Sequence, residues 1–214
     1  MSTNDSTLKS VTLRERQKSQ TYELILSCAR QLFEAEGYKK TTIRRIAAQA
    51  GISLGAIYKH FKQKSDVLSA VFIDDIGGTL EEAIAGLPTD LALKDQLLHL
   101  VGGLFRFYED RQKLARVYIR EIAFMTGDAR MENDKLDQRF LSFVSSLVEE
   151  AKLEGHVRAD VDSGVFSFSF LSNYLITIGY CFFKENAFSA DMATELIAGM
   201  IDLLISGIGT NTGE

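Results

Sequence analysis

The 214-residue sequence has no tryptophan, one proline, two cysteines and three histidines. With Pro88 as its single proline, the chain carries almost none of the residue that interrupts helices. Strand-like alternation is equally scarce, so an all-α fold is expected. Cys28 and Cys181 lie far apart and match no zinc or redox spacing. Each falls inside an apolar helical pattern, which points to buried, inert thiols. His60, His99 and His156 have no ligand-spaced companions, so no metal is expected. No Gly-x-Ser-x-Gly turn, phosphate-cradling loop or metal-spaced His/Glu pair appears, which speaks against an enzyme and leaves no cofactor to place. Residues 1–20 are polar rather than signal-like, and no apolar run approaches membrane-spanning length. A cytoplasmic chain without a membrane partner is the expectation.

What is present is ordinary in amount and uneven in placement. Hydrophobic residues make up 46% of the chain and charged residues 25%, enough apolar matter for a core without disulfide or metal staples. The formal net charge is −5, yet residues 1–64 hold 12 Lys+Arg against 5 Asp+Glu. The remaining residues hold 12 Lys+Arg against 24 Asp+Glu. A basic head on an acidic body fits a chain whose head meets nucleic acid.

Periodicity divides the chain into a flexible arm at 1–18, a helical head at 19–64 and a larger helical body at 65–214. In the head, Leu24, Ile25, Cys28, Ala29, Leu32 and Phe33 recur with helical spacing, and Gly37 is placed to close that helix. Thr42 opens a short helix with Ile43, Ile46, Ala47 and Ala50 on one face, closed at Gly51. Ser53 opens another that carries Ile57 and ends near Phe61, expected in the core, and a third begins near Lys64. The stretch 42–61, TIRRIAAQAGISLGAIYKHF, thus predicts two short helices about a tight turn, the arithmetic of a helix-turn-helix. Leu54, Gly55 and Ala56 start the second helix with small or apolar side chains, which admits close approach to a major groove. Tyr58, Lys59 and His60 face outward. In the body, helices are expected at about 91–109, 111–125 and 135–154, then from the cap Asp162 to Lys184, and finally after Ser189.

The run from Leu24 to Leu68 closely resembles the DNA-binding head of the tetracycline-repressor (TetR) family. Its motifs are Phe33-x-x-x-Gly37-Tyr38, Thr41-Thr42-Ile43, Ile46-Ala47, Ala50-Gly51-Ile52-Ser53, Gly55-Ala56-Ile57-Tyr58, His60-Phe61 and Lys64-x-x-x-Leu68. The resemblance implies that Thr42 and its helix N-terminus hold a phosphate, with Arg44 reaching phosphate or a base edge. It implies that Tyr58 and His60 press on the DNA backbone and that Lys64 anchors it. Lys59 stands beside them for phosphate or guanine. Leu54 and Ala56 fall where base readout is expected, yet neither side chain can hydrogen-bond, which suggests contact with thymine methyl groups. Ser53 and Gly55 complete this set at the start of the recognition helix. For Arg44, Tyr58 and His60 a solvated, core or bracing role stays open, and for Arg45 a solvated face.

The body is rich in aromatics spread over several helices. Phe105, Tyr108, Tyr118, Phe124, Phe143, Phe170 and Tyr174, with Asn173 and Thr177 as polar hooks, are the candidate lining of an effector pocket; plain core packing is the alternative. The resemblance also implies a pocket here, taking a small, mainly apolar or aromatic effector, while Arg106 or Arg120 leaves room for an anion. The stripe on residues 193–205 and the face of 165–180 read as half of a four-helix bundle that a second copy completes. A homodimer on double-stranded, palindromic operator DNA follows, with recognition helices about 34–36 Å apart. The expected function is a repressor released by its effector; a regulator whose body binds a protein instead is the alternative. Gly77-Gly78 is a candidate hinge in the helix that leaves the head.

Overall fold

A computed structural model describes residues 12–88, 90–121, 127–184 and 187–208, with backbone only at 127–129. Among these residues the chain forms nine helices and no strand, the all-α architecture that the single proline and the helical spacing predict. It divides into two compact units at Val71/Phe72. That boundary falls inside α4, a few residues beyond the 64/65 division expected from the sequence.

The first unit contains α1 (Leu13–Lys40), α2 (Ile43–Ala50), α3 (Leu54–Tyr58) and the first turns of α4 (Lys64–Ala85). Helix α1 begins inside the segment expected to be an arm. The cause is a capping box: Thr12 Oγ1 accepts from Glu15 N at 3.2 Å, and the Glu15 carboxylate accepts from Thr12 N at 2.8 Å. Near its end, Gly37 adopts φ +79°, which breaks the helical path where a closing glycine is expected. Thr41 follows, fully buried, and its hydroxyl donates to Leu32 O and Gly37 O. Thr42 then caps α2 by accepting from Arg45 N at 3.2 Å. Gly51, at φ +64°, ends α2 in the left-handed conformation that favours glycine. Ser53 caps α3 by accepting from Ala56 N. Five residues cannot sustain a helix alone. Ile57, 0% exposed, ties α3 to the core, a burial worth about 2 kcal/mol. Phe61 is buried too and stacks on Tyr22 at 5.3 Å, as a core role requires.

The second unit contains the rest of α4, then α5 (Leu93–Asp110), α6 (Gln112–Glu121), α7 (Gly127–Leu153), α8 (Ser163–Lys184) and α9 (Ala190–Ile208). Helix α7 starts eight residues before the expected position. Its opening turns lack an apolar stripe and carry charge pairs instead, Arg130–Asp134 at 2.9 Å and Lys135–Glu132 at 2.6 Å. Pairs at this spacing support a helix without marking it hydrophobically. Gly77 and Gly78 lie within continuous α4, and a Cβ at either meets nothing closer than 3.9 Å. They mark neither a helix end nor a close contact.

Helix α8 is the one described helix long and apolar enough to cross a membrane by composition. One face of it is core: Phe166, Phe170, Tyr174, Ile178, Cys181 and Phe182 are buried. Its other face is bare in the single chain, where Phe168 is 64% and Ile176 61% exposed, with Val165, Tyr180 and Phe183 beside them. Leu203 of α9 is similarly exposed. Arg116 Nη1 donates to Phe182 O at 2.7 Å and so satisfies a carbonyl near the C-terminus of α8.

Candidate functional site

In the first unit, capping decides which groups are presented. The Thr42 side chain spends its acceptor on Arg45 N, which leaves the hydroxyl proton of this exposed residue free to donate. Arg44 is exposed and has no described partner, whereas Arg45 is engaged in a two-pronged ion pair with Glu36. A guanidinium held by a carboxylate is less available to a phosphate than a free one. On α3, Ile57 points inward, and Ser53, Gly55, Tyr58 and Lys59 are exposed with Leu54 and Ala56 half-buried at its start. Tyr58, 55% exposed, has no packing role that would account for an aromatic there. His60 is half-buried and its ring lies 6.0 Å from that of Tyr22, a bracing position.

Lys64 is used inward. Its Nζ donates to Tyr38 O at 2.7 Å and Thr41 O at 2.9 Å, and stands 4.1 Å from the Tyr38 ring centroid. Burial lowers its pKa below the usual lysine value. Two of its three donors therefore fasten the end of α1 to the start of α4, and at most one remains for an external anion.

Sequence patterning missed part of this unit. Arg14, Arg16 and Lys18 sit on the exposed first turns of α1, in the segment expected to be a flexible arm. The Thr12-x-x-Glu15 pair is the signal that would have placed them on a helix.

The second unit contains a cavity of about 70 Å³. Aliphatic walls come from Ile76 and Leu80 of α4, Leu104 of α5, Leu136 of α7, and Leu171 and Leu175 of α8. Tyr108, Tyr118, Phe140 and Tyr174 supply aromatic surface, and Asn133 and Asp137 of α7 supply polarity. Of the aromatic candidates, Tyr108, Tyr118 and Tyr174 reach this lining. Phe105 and Phe170 are fully buried and stack on Tyr174 and Phe140, outside the lining. Phe143 is half-buried beneath the Arg139 guanidinium. Asn173 is half-buried away from the cavity. Thr177 donates to Asn173 O at 2.7 Å, a bond inside its own helix. Phe124 lies outside the described residues. Asn133, Leu136 and Asp137 were not anticipated, Asn133 because it precedes the expected start of α7.

The polar end of the cavity is ordered by a short chain of hydrogen bonds. Tyr118 Oη donates to Asn133 Oδ1 at 2.8 Å, and Asn133 Nδ2 donates to Asp137 Oδ2 at 3.1 Å. Burial raises the Asp137 pKa to about 6, with the neighbouring charge of Asp134 adding to it and Arg130 opposing. Burial holds the Tyr108, Tyr118 and Tyr174 hydroxyls above the ordinary tyrosine value, so all three stay neutral near pH 7.

Because the folded-state value of Asp137 is raised, its ionisation costs stability. The cost is absent below about pH 4 and complete above about pH 6. At about 1.4 kcal/mol per pKa unit, the rise from 3.8 to about 6 corresponds to about 3 kcal/mol; with the half-buried carboxyl partly screened by solvent, Asp137→Asn is expected to stabilise the protein by about 2 kcal/mol near neutral pH. Thermal melts should show a Tm several degrees above the parent at neutral pH, converging with it in acid. A lower melting point for the variant at neutral pH would contradict this.

A compact helical head with a capped turn, an inward Ile57 and an outward Tyr58-Lys59 pair defines a helix-turn-helix DNA-binding protein. Residues 25–71 match the family described as "Bacterial regulatory proteins, tetR family", and residues 90–174 match "Tetracyclin repressor-like, C-terminal domain". The chain belongs to the TetR family and is a DNA-binding transcription regulator. It is 24% identical over 147 residues to the fatty acid metabolism regulator protein of Bacillus subtilis (strain 168), covering 69% of this chain and 76% of that one. It is 27% identical over 142 residues to the transcriptional repressor KstR2 of Rhodococcus jostii (strain RHA1), covering 64% and 68%. Its fold matches that of Thermus thermophilus FadR, a TetR-family transcriptional repressor solved in complex with lauroyl-CoA. The TM-score is 0.69 at 19% identity, covering 90% of this chain and 97% of that one.

Proposed function

We propose that the protein is a homodimeric, cytoplasmic repressor that binds a palindromic operator and is released when a small molecule enters the body. The observation that carries this reading is the pairing of a bare recognition face in one unit with a lined cavity in the other. Thr42 donates to a phosphate at the N-terminus of α2, where the helix dipole adds to the attraction. Arg44, Tyr58 and Lys59 contact the backbone or a base edge, and His60 braces them. Ser53, Leu54, Gly55 and Ala56 form the leading end of the recognition helix. Lys64 contributes mainly by fixing the frame from which the others reach. In this reading the unit ending at Val71, with α1 starting at Leu13 rather than after an arm of 1–18, is the DNA-binding head, and the unit from Phe72 onward is the effector and dimerisation body.

The exposed stripe on α8, with Leu203 on α9, supports the dimer. Bare phenylalanine and isoleucine on one helix face are unfavourable in water, and a second copy of α8 and α9 covers them. Effector binding is supported by the cavity and by the acyl-CoA complex of the Thermus relative. At about 70 Å³ the cavity is smaller than the roughly 300–1,000 Å³ typical of ligand pockets, so entry requires the walls to move. Gly77-Gly78 lies between the lining residues Ile76 and Leu80, where such a movement reaches α4. Alanine at both positions is expected to stabilise α4 by about 1 kcal/mol each and to weaken release from DNA by the effector. Unchanged induction would remove the hinge from the account.

Selection of genomic fragments by the purified protein at physiological salt tests the whole reading. Enrichment of a short inverted repeat is the expected result. Enrichment without any shared repeat would overturn it.

A further inference from the structure

The cavity in the second unit has an unbalanced polar end. Asn133 spends one hydrogen bond on Asp137 Oδ2 and is itself held by Tyr118, so the carboxylate is oriented by the chain but not neutralised. No described lysine, arginine or histidine lies within salt-bridge distance of it. The charged groups nearest on α7 are Asp134 and Arg130, which are exposed and paired with each other at 2.9 Å. From the other helices it is faced by the neutral hydroxyls of Tyr108 on α5, Tyr118 on α6 and Tyr174 on α8. The Tyr174 side chain, 4% exposed, lines the cavity, and its hydroxyl has only the neutral Tyr108 hydroxyl beside it, too poorly aligned for a full hydrogen bond.

These features ask for one kind of occupant. An uncompensated carboxylate in an apolar cavity is relieved by a cation, and aromatic faces on the same walls add to that attraction. A hydrogen-bond donor is needed for the Asp137 oxygen that Asn133 does not use. An acceptor or donor suits Tyr174 Oη. The aliphatic walls take an apolar body.

Resting on the effector role above, we propose that the effector is a protonated organic amine with an apolar body, its ammonium donating to Asp137 and Tyr174. A thioester carbonyl placed at the same point has no proton to donate and faces a negative charge. The relative's acyl-CoA chemistry therefore does not suit this end of the cavity. Near neutral pH the carboxylate is mostly ionised and receives the ammonium; below pH 6 it is mostly protonated, and the attraction fades.

Calorimetric titration of the full chain tests this with butylamine, 2-phenylethylamine and dodecylamine, each against the alcohol of the same skeleton, and with lauroyl-CoA. At least one amine is expected to bind about tenfold tighter than its alcohol near pH 7.5. Asp137→Asn should reduce the amine to the affinity of the alcohol while leaving the alcohol unchanged. Tyr174→Phe should weaken the amine severalfold, and lowering the pH to about 5 should weaken it in the parent protein but not in the Asp137→Asn variant. Thermal melts of both variants confirm that they are folded. Equal binding of amine and alcohol, an Asp137→Asn variant that retains full amine affinity, or binding of lauroyl-CoA with no amine would each overturn the proposal. No binding by any probe at millimolar concentration would overturn it as well. All of these outcomes leave the DNA-binding reading standing, because that reading fails separately, through the absence of an inverted repeat among selected fragments.

Discussion

Replacing Tyr58 and Lys59 together with alanine is expected to lower operator affinity roughly 1000-fold while leaving the melting temperature nearly unchanged. The reason for the small effect on stability is positional. Both side chains are exposed, and Ile57 between the two faces carries the packing of α3. The reason for the large effect on binding is symmetry. In a dimer each substitution removes two contacts, and four contacts at about 1 kcal/mol each amount to about 4 kcal/mol. Lysine loss carries a second signature, since two fewer neutralised phosphates reduce the slope of log affinity against log salt by about 2. Fluorescence anisotropy on a selected operator at several salt concentrations measures both. An affinity unchanged within a factor of two would remove this face from the DNA interface.

The other large effect concerns pairing. Phe168→Asp combined with Ile176→Asp is expected to convert the dimer to a monomer. Both positions are more than half exposed in the single chain, so the fold of one copy does not depend on their apolar character. Within an α8/α9 four-helix interface they face a partner, and four carboxylates desolvated there cost several kcal/mol in total, by the ordinary penalty for unpaired buried charge. Sedimentation should report the mass of one chain, and operator binding should collapse because each head then binds alone. A dimer of undiminished stability in the doubly substituted protein would show that α8 and α9 do not form the interface. The same exposed stripe explains why α8 passes for a membrane span by composition: one side of it is core, and the other is an interface in this account.

The head was legible in the sequence because short-range chemistry fixes it. Gly37 and Gly51 stand where positive φ is required, Thr42 and Ser53 stand where helices need caps, and Ile57 is the buried apolar residue that anchors α3. Each signal acts within four residues and survives without knowledge of the rest of the chain. The start of α1 was missed for the opposite reason. Its first turns lack an apolar stripe, and only the Thr12–Glu15 capping box announces them.

The body was legible as helices but not as a cavity. Aromatic residues at helical spacing look the same whether they fill a core or line a hole. Phe105 and Phe170 fill the core, while Tyr108, Tyr118 and Tyr174 line the hole. Which is which depends on contacts between α4, α5, α6, α7 and α8, and those are not local. Asp137 and Asn133 escaped notice because polar residues on a helix are ordinarily solvated. Only the packing of Tyr118 onto Asn133 brings the pair to the cavity wall. The exposed face of α8 falls on the residues 165–180 expected to carry surplus apolar surface. In the expected 193–205 stripe, by contrast, Ala193, Ile197 and Ile201 are buried in the core of the single chain, and Leu203 is the large apolar residue that α9 exposes.

The most direct test of the account is the spacing rule of a symmetric dimer. Binding of the parent protein is measured to the selected inverted repeat and to the same repeat with about five base pairs inserted at its centre, which rotates one half-site by roughly half a turn. The account predicts two protomers on the intact repeat and a loss of affinity of about 100-fold or more on the lengthened one, since one recognition helix then faces the wrong side of the duplex. Equal affinity for both DNAs would contradict it.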